Sequence, residues 1–194
     1  MTGGGDGSIG MNHVEGPTNY HLPLPNDKDI PRVVVAISKG FLTLSQLGCI
    51  YGCSDELNSP SWTVIFQDVR LHSGTVVHKN GNTVIFGSPS GAVLVFSLLP
   101  GPVLKLISQL QLAESKIYSI HLIGTEEFIA CFDEGKMVVG NYCQNEKAAS
   151  ATYNLILPDG KQRWPACAIK SREAIIVGDR DGSLHFFKAE NEVV

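Results

Sequence analysis

The sequence predicts an all-β fold, a β-propeller segment of about four and a half blades, each of four antiparallel strands. Three observations carry that reading. Glycine-bearing turns recur at a nearly constant spacing, the apolar residues around them align without gaps, and the apolar runs are short and closed by turn residues.

The turns are GGGDGSI (3–9), LSQLGCI (44–50), GSPSGAV (87–93), CFDEGKM (131–137) and GDRDGSL (178–184). Their anchor glycines, Gly7, Gly48, Gly91, Gly135 and Gly182, stand 41, 43, 44 and 47 residues apart, the period of a four-stranded propeller blade. Seven residues before the last four anchors come Phe41, Val84, Phe128 and Ile175, and fifteen before come Val33, Val76, Ile120 and Cys167. Two residues after all five anchors come Ile9, Ile50, Val93, Met137 and Leu184. An apolar run, a turn and a second apolar run make a hairpin, and a further run precedes it (RVVVAIS, GTVVHK, YSIHLI, ACAIK), which gives strands a, b and c.

Strands b and c are almost wholly apolar (TVIFG, AVLVF, EAIIVG), as expected where both sheet faces are covered. The outer strand d should alternate. Leu104, Leu106, Leu110 and Leu112 interleave with Lys105, Gln109 and Gln111, and TYNLIL (152–157) is a weaker case. The same leucines tolerate a helical period over 104–113, but their place in the repeat decides for strand.

The chain, 1–194, divides into a blade end at 1–30, whole blades near 31–67, 70–112 and 115–157, and a partial blade at 160–190. Residues 12–31 hold four Pro among polar residues and read as a long loop with at most one irregular edge strand. Beginning and ending inside a blade, the chain reads as a segment of a longer protein.

Turns such as GGGDGSI and GDRDGSLHFF resemble those of WD-repeat propellers, in which an Asp in the turn between strands b and c braces the loop. Asp6 and Asp181 match that position and Glu134 is a near match, whereas Leu47 and Ser90 depart from it. The Trp-Asp ending of strand c is replaced by residues such as Phe96 and Phe187. KQRWPAC with GDRDGSLHFF (161–187), TGGGDGSI at the N-terminus and RVVVAISKGFLTLSQLGCIYG are similar to the family of WD repeat-containing protein 6. The resemblance implies the non-catalytic propeller partner of the methyltransferase that modifies the 2'-hydroxyl of the wobble nucleotide of certain tRNAs.

Nineteen acidic against fifteen basic residues exclude the basic balance of a stand-alone nucleic-acid binder, so any RNA contact must be a local patch. The candidate patch is Lys161, Arg163 and Trp164 with Arg180. In an antiparallel meander the start of strand a and the b-to-c turn lie at one end of the blade. A Trp flanked by cations can stack a base and hold a phosphate. The bland alternative pairs Arg163 with Asp179 or Asp181 and leaves Trp164 filling a gap between blades.

Other chemistry fails on context. Gly5-Asp6-Gly7-Ser8-Ile9-Gly10 fits the dinucleotide pattern in letters, which needs a strand before and a helix after, yet only four residues precede it and its register is that of the blade turn. Gly87-Ser88-Pro89-Ser90-Gly91 has Pro where a nucleophile elbow needs Ser. Cys49 and Cys53 read as buried thiols, and the six His (13, 21, 72, 78, 121 and 185) do not cluster; His78, His121 and His185 read as packing or loop-bracing residues. Five Cys, no leader-like segment and no Asn-x-Ser/Thr sequon point to the cytoplasm, and no apolar run reaches the roughly 18 residues of a membrane helix.

The expectation is a non-enzyme with no cofactor, no metal, no membrane and no small-molecule substrate. Its partners are a tRNA ribose methyltransferase and tRNA, and the alternative is a general protein-interaction scaffold. Calorimetry with the methyl donor should show no saturable binding to this chain; saturable binding would contradict the non-catalytic reading.

Overall fold

The structure is a computed structural model that describes residues 2–3, 8–12, 19–54, 61–72, 74–124, 126–132, 135–142, 149–154, 164–171 and 174–188. Two compact units are formed, one by 1–73 with 97–105 and the other by 74–96 with 106–194.

Every described sheet is an antiparallel meander. The first has three strands, β1 (Thr2–Gly3), β2 (Ser8–Asn12) and β3 (Asn19–Pro23), in sequence order. The second has β4 (Pro31–Ile37), β5 (Gly40–Ser45), β6 (Cys49–Ser54) and β7 (Trp62–Gln67). The third has β8 (Val76–Asn80), β9 (Thr83–Gly87), β10 (Ala92–Leu99) and β11 (Val103–Gln111). The fourth has β12 (Ile117–Leu122), β13 (Glu127–Phe132), β14 (Lys136–Asn141) and β15 (Ala149–Asn154), and the fifth has β16 (Pro165–Lys170), β17 (Ala174–Asp179) and β18 (Leu184–Lys188). The three four-stranded sheets are propeller blades with strands a to d in chain order, the first and fifth sheets have three described strands each, and the all-β propeller class read from the sequence is the observed one.

The leucines of 104–113 form strand, not helix. Their alternation is less regular than the letters suggest: Leu106 is exposed, and Ile107 takes the inward place with Leu110 and Leu112.

Burial shows why strands b and c are apolar on both faces. On β13, Phe128, Ala130 and Phe132 enter one core with Ile85, Val93 and Val95. The intervening Ile129 and Cys131 enter another with Ala168, Ile175 and Val177. One strand thus serves two cores with period-2 alternation. The first unit has its own core, in which Leu22 and Leu24 pack with Phe41, Cys49, Tyr51 and Cys53. Burial pushes the Cys131 thiol up to about 11, so it stays a neutral packing group.

The turns between strands b and c share one construction. Gly48, Gly91 and Gly182 lie at φ of 81°, 78° and 85°. Each donates its N–H to the carbonyl three residues earlier, at Ser45, Ser88 and Asp179. The side chain of that same residue accepts the N–H just past the glycine: Ser45 Oγ from Cys49 at 3.1 Å, Ser88 Oγ from Ala92 at 2.9 Å, and Asp179 Oδ1 from Ser183 at 2.9 Å. The resemblance places the brace of the last turn at Asp181. The carboxylate that receives its N–H groups is Asp179, and Asp181 contributes its own N–H at 2.9 Å. Gly135 also lies at positive φ, 73°, but Phe132 fills the brace position there and is fully buried. Asp6, Gly7 and Glu134 lie outside the described residues.

At Gly48 and Gly91 the glycine serves a second purpose. Its carbonyl accepts the N–H of Asp68 or Leu112 at the end of strand d, and a Cβ would land on the carbonyl of Asp68 or Ala113. At Gly182 nothing among the described residues stands within 4 Å. Gly182→Ala should therefore cost about 1–2 kcal/mol from left-handed backbone strain alone. Gly91→Ala should cost a further ~1–3 kcal/mol from steric conflict. Equal losses in urea unfolding would show that the strand-d carbonyl does not matter.

Candidate interaction surface

The brace of the last blade is electrostatic as well as geometric. Asp179 is buried, Oδ1 accepts two backbone N–H groups, and Oδ2 stands 2.8 Å from His185 Nε2 on β18. The His185 contact, with the backbone donors behind it, holds the Asp179 carboxyl below the usual carboxylate range. The β5–β6 turn receives a second carboxylate from outside its own hairpin. Buried Asp29 accepts N–H groups from Ile30 and Leu47 and the hydroxyl of Tyr51, whose ionisation burial pushes well up. Asp29 thus pins the turn to the loop before β4.

Around the Asp179 turn the structure gathers part of the sequence-predicted patch. Arg180 sits in the turn and donates its backbone N–H to the Trp164 carbonyl at 3.1 Å, so the two residues are adjacent. Trp164 is 47% exposed. Lys161 and Arg163 lie outside the described residues.

Two further residues join the patch without having been read from the sequence. The Arg180 guanidinium lies 4.4 Å from the centre of the Tyr118 ring, and Lys116 Nζ lies 4.8 Å from it. Tyr118 stands where the register of β12 against β13 shifts, since Ile117 faces Phe132 and Ser119 faces Cys131. A bulge of this kind re-aims a side chain, here onto the end of the blade beside the next b-to-c turn. The signal available in the sequence is that Tyr118 lies in the first residues of strand a, as Trp164 lies just before the strand a of the next repeat.

The result is an aromatic pair, Tyr118 and Trp164, with two cations, Lys116 and Arg180, that make no ion pair among the described residues. Such a surface can stack planar groups and hold an anion. No group of three or more His, Cys, Asp or Glu arranged to hold a metal occurs among the described residues.

No protein-family model matches the chain, and no curated protein does. Solved structures do. The chain is similar to Sqt1 of Saccharomyces cerevisiae, at 13% identity over 97% of this chain and 55% of that one, with a TM-score of 0.75. It is similar to a chain of the mitotic checkpoint complex, at 10% identity over 94% and 56%, with a TM-score of 0.66. It is also similar to Hsv2 of Kluyveromyces lactis, at 13% identity over 91% and 53%, with a TM-score of 0.62. At these identities the likeness shows the fold alone, a β-propeller, and the chain spans about half the length of each of the three.

Asp179→Ala should lower stability at pH 7 by about 1.5–3 kcal/mol, the range for hydrogen bonds to a charged acceptor. Because the folded-state pKa is depressed, the wild-type advantage is present above the ordinary carboxylate value of about 3.9 and disappears as pH falls through the folded value. Urea unfolding of both proteins from pH 7 to pH 2.5 measures this; a gap that stays constant with pH would rule out the carboxylate as its source.

Proposed function

We propose that this chain is part of a non-catalytic WD-type scaffold that binds a tRNA 2'-O-ribose methyltransferase and helps position tRNA for ribose methylation of the wobble nucleotide, in the cytoplasm. The methyltransferase and tRNA come from the resemblance of residues 161–187, the N-terminal turn and the segment at 32–52 to the family of WD repeat-containing protein 6. The observation that carries the RNA part is the exposed Trp164 beside Arg180, with Tyr118 and Lys116 next to it. In a chain of net charge -4, that is a local site with both stacking and cationic chemistry. The scaffold would act by positioning, holding enzyme and RNA in register while the enzyme supplies the methyl-donor pocket.

A protein-interaction scaffold without an RNA role is the second reading. It is favoured by Ile169, Leu184 and Phe186, which expose 63%, 65% and 68% of their surface on the fifth sheet. Exposed apolar residues gathered on one sheet suit a protein partner better than RNA.

Trp164→Ala, Arg180→Ala and Lys116→Ala, with Arg163→Ala beside them, decide between the two. Loss of a stacked base should weaken tRNA binding by about 1–3 kcal/mol. Each lost phosphate contact should also flatten the salt dependence of affinity. Unchanged affinity and salt slope in all four variants, with melting temperatures intact, would end the RNA reading and leave the protein scaffold.

A further inference from the structure

Away from the Trp164 patch, strands β8, β12 and β16 lie side by side, β12 packing against both others. Their ends surround a cavity of about 290 Å³ lined by His78, Asn80, His121 and Lys170, with Leu122 and Ile169 among its apolar walls. The two imidazole rings stand 5.4 Å apart, centre to centre. We propose that this pocket binds an oxyanion, a small ligand bearing a carboxylate or phosphate group held by His78, His121, Asn80 and Lys170.

The hydrogen bonding of His78 fixes what the pocket offers. Leu122 donates its backbone N–H to His78 Nδ1 at 3.0 Å, so that nitrogen carries the lone pair and the proton of the neutral ring resides on Nε2. His78 therefore presents a donor. A metal ion would need the Nε2 lone pair and would cost the Leu122 bond, which sets the chemistry against metal ligation. His121 Nε2 is buried and has no hydrogen-bond partner, an exception that calls for a ligand. Lys170 Nζ is held 2.7 Å from Glu127 of β13 and has two further protons to donate.

The charge balance points the same way. Burial lowers the pKa of both imidazoles, and the nearness of His78 lowers that of His121 further. Among the described residues, the charged side chain lining the pocket is Lys170 of β16, paired with Glu127 of β13; Lys79 stands beside His78 on β8, β13 and β16 also carry Cys131 and Cys167, Tyr142 packs in the core with Leu122, and β9 supplies no titratable group. The described lining is thus close to neutral and rich in donors. An anion between the rings would favour the protonated form of His121, while His78 keeps its Nδ1 lone pair for Leu122, so binding should take up a proton at His121.

The test is a pH titration of the full chain with carbon-13-labelled histidine, followed by NMR with and without inorganic phosphate or malonate. Either probe should shift the His121 signal saturably, raise its apparent pKa and bind about tenfold more tightly for each unit of pH fall through the imidazole range. His121→Asn and His78→Gln should weaken binding about tenfold or more. The half-buried Lys170→Ala serves if either of those fails to fold. Response to phosphate alone or to malonate alone identifies the source of the anion, and response to both supports the shared chemistry. Absence of a saturable shift with either probe would overturn the proposal. So would binding unchanged in the folded variants, or saturable zinc binding that requires both histidines.

Discussion

The side-chain oxygen three residues before Gly48, Gly91 and Gly182 is the constraint on which three of the b-to-c turns depend. Without it the N–H just past the glycine would be buried beside a tight turn with no acceptor, a loss comparable to the net worth of a hydrogen bond or more. With it, one residue closes the turn twice, through its carbonyl to the glycine and through its side chain to the start of strand c. The turn then sets the register of strands b and c, and that register decides which residues enter which core. At Gly48 and Gly91 the glycine carbonyl also anchors the end of strand d, so the inner hairpin and the outer strand are tied at a single residue.

The periodicity of the fold is legible because a left-handed backbone position selects glycine among the twenty residues, and the same letter recurs at 48, 91, 135 and 182. The brace is not legible in the same way. Ser45, Ser88 and Asp179 share an oxygen but not a letter, and Phe132 interrupts the series altogether. Asp29 is hidden for a different reason. It lies in a proline-rich stretch that reads as loop, and its role depends on Leu47 and Tyr51, 18 and 22 residues away.

The surface chemistry divides along the same line. Strand order alone places Trp164 and Arg180 at one end of a blade, because a meander returns to that end every second strand. Tyr118 and Lys116 require a further step, from one blade to the next, and Tyr118 is turned by a register shift that no letter announces. His78 and His121 stand 43 residues apart, one repeat, so their meeting is written in the period but emerges only when equivalent positions of successive repeats are overlaid.

The division of β13 between two cores has a bearing on how such a chain can change length. Phe128, Ala130 and Phe132 belong to one core and Ile129 and Cys131 to the other, so inserting or deleting one residue within the strand would exchange the contents of both. Restoring the original partition would take a compensating β-bulge, a register shift of the kind seen between Ile117 and Ser119. A whole repeat can be gained or lost with every partition intact, since each new strand b arrives with its own alternation and its own neighbours. Growth of a sheet stack built this way is therefore stepwise: changes of length settle in the loops or in bulges, and the strands change number by duplication or loss of complete blades.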